Sequence, residues 1–230
     1  MWTRSELKTK AKADIKICYW KAVLASIVLT FCAGGSTGSA GGSNNSESGD
    51  IFNSLTDGEL IAVVGIILAA VGIAMIITLV LKIFVLNPFV VGGHKFFADG
   101  TDENGASLAA LVYAFKNNYM NQVFVIFMRN LFISLWSLLF IIPGVVKAYQ
   151  YRMVPYILGE DPDISYKEAL EMSKDMMDGN KWNAFVLDLS FILWYLLSGI
   201  TFGLVYIFYV GPYVNFTNAE LYMALKNNNY

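Results

Sequence analysis

A chain of 230 residues builds one soluble domain or a handful of membrane spans, and a composition 56% hydrophobic and only 15% charged selects the second. The net charge of −2 offers no basic excess, so no nucleic-acid partner is expected. Cys18 and Cys32, at either end of the first apolar stretch, exclude a disulfide framework and read as free thiols.

The chain opens on a capping-box spacing, Thr3-Arg4-Ser5-Glu6, after which Leu7, Ala11, Ile15 and Cys18 fall on one helical face. This amphipathic helix feeds a first span at about 18–34. Arg4, Lys8, Lys10, Lys12 and Lys16 precede Trp20 against only Glu6 and Asp14, whereas no Lys or Arg stands between Gly34 and Glu59. The positive-inside rule therefore puts the N-terminus in the cytoplasm and the loop 34–59 outside. Its Gly/Ser-rich run, GGSTGSAGGSNNSESGD, reads as a flexible, hydrated tether. No cleaved signal peptide is expected, because the basic region is too long and no A-x-A site follows. LTFC at 29–32 resembles a lipoprotein cleavage box, but Phe31 stands where a small residue is needed. Asn44 opens an Asn-x-Ser triplet, which has meaning only in a secreted eukaryotic setting.

Residues 61–81 carry no charge, and about twenty apolar residues at ~1.5 Å rise cross a hydrocarbon core of roughly 30 Å. Ala62, Gly65, Ala69 and Gly72 give this second span a smooth face for close helix packing, within the molecule or between copies. Ser107 begins a second amphipathic helix, with Leu108, Leu111, Val112 and Phe115 at helical spacing, before VFVIFMRNLFISLW. A third follows the capping box Ser165-Tyr166-Lys167-Glu168, with Ala169, Leu170, Ser173 and Met177 on one face, before AFVLDLSFILWYLL. Each unit ends in an apolar stretch with a proline and then aromatic and polar residues: NPFVVGGHKFF, IPGVVKAYQYR and GPYVNFTNAELY. Pro88, Pro143 and Pro212 are read as equivalent kinks or turns.

The expected architecture is all-α: a single integral membrane domain over 1–230, with six spans near 18–34, 60–86, 120–140, 143–158, 182–200 and 203–225. They form three helix-hairpin pseudo-repeats, about 1–100, 101–160 and 161–230, each preceded by an amphipathic helix, with both termini cytoplasmic.

Ionised groups inside such spans cost about 2.5–3.5 kcal/mol on insertion scales and must find a partner or water. Arg129 and Asp188 lie inside corresponding spans of the second and third units and are expected to pair, either as a register-fixing ion pair or as part of a polar pathway. Lys147, Tyr149, Tyr151 and Arg152 form a candidate anion or headgroup site, with snorkelling to the interface as the structural alternative. Asn215, Thr217, Asn218 and Glu220 form a candidate polar cluster at the matching place in the last unit. His94, the single histidine, has no companion histidine or nearby cysteine, so no metal site and no cofactor are expected. Asp99, Asp102 and Glu103 read as a solvated loop. No nucleophile elbow, P-loop or dinucleotide-binding glycine motif stands in a strand–turn–helix context.

The stretches MWTRSELKTKAK, CYWKAVLASIVL, NPFVVGGHKFF, SLLFIIPGVVKAYQYRMVPYIL, DISYKEALEMSKDMMDGNKWNAFVLDLSFILWYLL and GPYVNFTNAELYMAL together resemble an uncharacterised bacterial integral membrane family, domain of unknown function nine hundred and seventy-five. The resemblance implies a multi-span protein of the bacterial cytoplasmic membrane, distantly related to membrane regions that accompany some glycerophosphodiester phosphodiesterases. It brings no catalytic residues.

The leading functional expectation is a non-enzymatic membrane protein that binds or organises another membrane component, with lipids, a membrane protein or a second copy as partner. The alternative is a small transporter or export/resistance factor whose path is lined by Arg129, Asp188 and Arg152. A lipid-modifying enzyme comes third.

Overall fold

A computed structural model describes residues 2–32, 57–101 and 106–229. Most of the external loop expected at 34–59, with Asn44, and also Asp102 and Glu103, lie outside them. Among the described residues every regular element is helical.

Helix α1 (Arg4–Cys32) begins where the sequence caps it: the Thr3 hydroxyl accepts from the Glu6 N–H at 3.3 Å. It bends at Cys18 (φ −135°, ψ 38°), where the amphipathic half gives way to the apolar half. Leu7, Ala11, Ile15, Cys18, Ala22, Ala25 and Leu29 form its buried face, at spacings of three and four. Helix α2 (Asp57–Leu81) runs through a π turn, Lys82–Leu86, into α3 (Asn87–Asp99). The Asn87 N–H bonds back to the Lys82 carbonyl, a wide turn that absorbs the lost donor and ring bulk of Pro88.

A 3-10 turn, Leu108–Val112, capped by the Ser107 hydroxyl, and a single α turn, Tyr113–Lys116, replace the expected second amphipathic helix. Its buried residues are Ala106, Ala110 and Ala114, while Leu108, Val112 and Phe115 are exposed. The physical reason is backbone proximity. A Cβ at Gly92 would collide with the Leu111 carbonyl, so only small side chains fit between this turn and α3.

Helices α4 (Tyr119–Leu139) and α5 (Ile141–Gln150) form a hairpin broken at Phe140, which is extended (φ −154°, ψ 140°). Pro143 sits in the first turn of α5, and a Cβ at Gly144 would collide with Ser137, so this glycine lets the two arms close. Then come α6 (Val154–Glu160), α7 (Tyr166–Met176), α8 (Lys181–Leu189), α9 (Ile192–Ile200), a second π turn (Tyr206–Val210) and α10 (Gly211–Asn229). The Ser165 hydroxyl caps α7 on the Glu168 N–H at 3.3 Å, as its sequence pattern requires. Ala169, Leu170, Ser173 and Met177 are buried on its inner side.

Pro88, Pro155 and Pro212 each stand at the head of a helix and precede an aromatic residue, and α3 packs against both α6 and α10.

The core lies where α1, α3, α6, α7 and α10 meet. Phe97 sits edge-on to Phe96 and Phe216 at ring separations of 5.1 and 4.9 Å, and all three are fully buried. Each such side chain contributes about 1.5–3 kcal/mol on removal from water.

Three helical stretches are long and apolar enough to cross a membrane: Ile61–Asp99, Tyr119–Leu139 and Lys181–Ile200. Of the other expected spans, 143–158 is divided between α5 and α6, and 203–225 between a π turn and α10. From Ile61 to Leu81 helix α2 is almost entirely exposed, and apart from its own backbone nothing lies within 4 Å of where Gly65 or Gly72 would carry a Cβ. Its smooth face therefore meets nothing among the described residues. The hairpin turns are also bare and apolar, with Leu138 85%, Ile141 80% and Phe202 98% exposed.

Candidate functional site

Asp188 does not pair with Arg129. Its carboxylate is gripped by the guanidinium of Arg152, with Nη1 to Oδ2 and Nη2 to Oδ1 both at 2.8 Å, the two-pronged geometry of a strong arginine–carboxylate pair. The Tyr149 hydroxyl donates to the same Oδ2 at 2.8 Å, and Arg152 Nη2 also donates to Asn218 Oδ1 at 2.7 Å. Three elements are thereby tied: the end of α5 and its following turn, α8, and α10. Arg152 reaches Asp188 because the chain leaves helical geometry at Tyr151 (φ −103°, ψ 20°), turning the next side chain out of the α5 register.

The four residues of the candidate anion site therefore act separately. Arg152 and Tyr149 serve Asp188. Lys147 lies over the rings of Trp136 and Tyr151 at 5.3 and 5.5 Å. Tyr151 contributes its carbonyl, which accepts from Arg129 Nε at 2.7 Å. The polar cluster on α10 is dispersed too, because a helix turns about 100° per residue. Asn218 joins Arg152, Thr217 donates to the Tyr213 carbonyl at 2.7 Å, and Asn215 donates to Ser26 Oγ at 3.1 Å. Glu220 faces α1, 3.9 Å from Lys10. His94 shares a 2.7 Å hydrogen bond with the Val90 carbonyl through Nδ1 and lies edge-on to Tyr156 at 4.7 Å. Among the described residues no group of three or more His, Cys, Asp or Glu is placed to hold a metal ion.

Arg129 opens on a different space, a cleft of about 480 Å³ between the α2–α3 junction and α4. Its Nη1 donates to Asn130 Oδ1 at 3.0 Å, and its Nη2 has no partner among the described residues and is not sealed off. Lys82, Asn87, Asn130 and Ser134 share the lining. Asn87 is only 5% exposed, and its side chain makes no hydrogen bond among the described residues. Among the described residues no carboxylate lines the cleft.

Comparison with known proteins bears on one part of the chain. Residues 143–229 match the family model described as Protein of unknown function (DUF975). No curated protein and no solved structure matches the chain. The DUF975 segment contains the whole Arg152–Asp188–Tyr149–Asn218 arrangement, whereas every residue lining the Arg129 cleft lies outside it.

Sequence reasoning passed over Lys82, Asn87, Asn130 and Ser134. The available signal was positional: Lys82 is the first charge after the uncharged run 61–81, and Asn87 is the polar residue immediately before Pro88.

Proposed function

We propose that this chain is a non-enzymatic, multi-pass protein of the bacterial cytoplasmic membrane that binds or organises another membrane component, a lipid or a partner protein. Its frame is three helix hairpins, the first and third rooted in amphipathic helices, with both termini cytoplasmic. The observation that carries this reading is the closed arrangement around Asp188. A general base or proton relay needs a carboxylate free to change partners, and Asp188 is held by a bidentate arginine and a phenol. Such a cluster suits a fixed scaffold. The bare apolar surface of α2 and of the hairpin turns supports a lipid setting, since soluble monomers rarely leave such contiguous patches uncovered.

Native mass spectrometry of the protein released from nanodiscs of its own membrane lipids tests the proposal. A discrete lipid or protein adduct is the expected result. Bare protein at every gentle condition, with a cysteine introduced by Leu189→Cys labelling from both faces of the membrane, would replace this reading with the transporter.

A further inference from the structure

The cleft beside Arg129 carries positive charge that no carboxylate among the described lining residues balances. Arg129, which lines the cleft, is fixed by the Tyr151 carbonyl on Nε and by Asn130 on Nη1, which leaves Nη2 without a partner among the described residues. Lys82 makes no ion pair among the described residues. Asp188 is committed to Arg152. Two cations thus share a space whose lining also includes the amide of Asn87 and the hydroxyl of Ser134. Asn130 and Ser134, four apart on α4, lie on one face of that helix. Holding the Arg129 cation partly out of water without a counter-charge is unfavourable, and an oxyanion would engage the guanidinium, the exposed ammonium of Lys82 and the amide together.

We infer that this cleft binds a phosphate-type oxyanion, supplied in the membrane by the headgroup of an anionic phospholipid. The inference rests on the membrane-binding reading above and gives it a ligand class and a place. Lys82 closes the uncharged run 61–81, so it stands where an apolar span meets the phosphate layer. The exposed side chains of Leu79 and Leu131 on the cleft wall provide an apolar surface for the glycerol and upper acyl segments. A volume of about 480 Å³ accommodates more than a bare phosphate.

The test is native mass spectrometry of the full chain from nanodiscs containing phosphatidylglycerol and phosphatidylcholine, with and without millimolar inorganic phosphate. The wild-type chain is expected to retain phosphatidylglycerol preferentially. Lys82→Gln and Arg129→Gln are each expected to lower that retention by roughly tenfold, the loss of one charge-assisted contact. Lys82 is exposed, so its variant keeps the fold even if the Arg129 variant does not. Phosphate adducts that depend on the same two residues, in the absence of retained lipid, would support the oxyanion site and assign it to the free ion. Phosphatidylglycerol retained equally by the wild type and both variants would overturn the cleft while leaving the general binding reading intact. A wild-type chain that keeps no lipid, phosphate or protein would overturn both.

Discussion

Two arginines of the helical bundle, Arg129 and Arg152, face opposite circumstances. Arg152 meets a carboxylate, a phenol on that carboxylate and an amide, so its charge is neutralised within the chain. Arg129 meets a carbonyl and an amide oxygen only, and the nearest open space adds another cation, Lys82, rather than an acid. A neutralised charge fixes how helices sit on one another; an unbalanced one calls for a partner from outside. The division also follows the chain, because the balanced arginine belongs to the DUF975 segment and the unbalanced one precedes it.

The largest effect should come from opening the balanced site. Asp188→Ala leaves the Arg152 guanidinium without its counter-charge, and such a loss costs about 3–5 kcal/mol at a fully buried pair. The side chains here are 18% and 34% exposed, so about 2–4 kcal/mol is expected, read as a lower unfolding midpoint in detergent or nanodiscs. Replacing both partners, Arg152→Met with Asp188→Leu, should recover most of that loss, since a well-packed apolar pair needs no counter-charge. If the double variant is as unstable as the single one, the pair is not an isolated structural unit.

Arg129→Met should be milder, within about 1–2 kcal/mol. It forfeits the hydrogen bond to Tyr151 but also removes an uncompensated cation. A destabilisation equal to that of Asp188→Ala would erase the contrast between the two arginines. Tyr149→Phe, which removes a single donor from Asp188, should cost about 1 kcal/mol and leave the bidentate pair in place.

These outcomes bear on what a sequence can disclose. The all-helical class, the two capping boxes and the inner faces of α1 and α7 were legible because each depends on local spacing along a single helix. The requirement that Asp188 find a cation was legible as well, from the cost of burying it. Its partner was not. Arg129 sits regularly within α4, while Arg152 gains its reach from a departure at Tyr151 that no periodic pattern announces. The second amphipathic segment failed for a related reason: Leu108, Leu111, Val112 and Phe115 fit an α-helical face, but close approach of the Leu111 backbone to Gly92 admitted only alanines.

A third arrangement extends the contrast to an excess of acid. On the amphipathic half of α1, ahead of its bend, Asp14 faces Glu220 of α10, with Lys10 near both Glu220 (3.9 Å) and Glu6 (3.7 Å). Burial first, and then the negative charge of Glu220, raise the Asp14 carboxyl from 3.8 to about 7, and its Oδ2 is buried without a hydrogen-bond partner. A carboxyl whose folded value lies above its unfolded value favours folding while protonated. The contribution is therefore complete below 3.8 and is lost as the pH rises through about 7. The unfolding midpoint should fall by a few degrees between about pH 5 and pH 8. Asp14→Asn, which stays neutral throughout, should flatten that slope and melt above the wild type at the alkaline end. A midpoint that climbs with pH, or a slope unchanged in Asp14→Asn, would show that Lys10 already neutralises the facing acids and that α1 and α10 meet as a balanced pair, as Arg152 and Asp188 do.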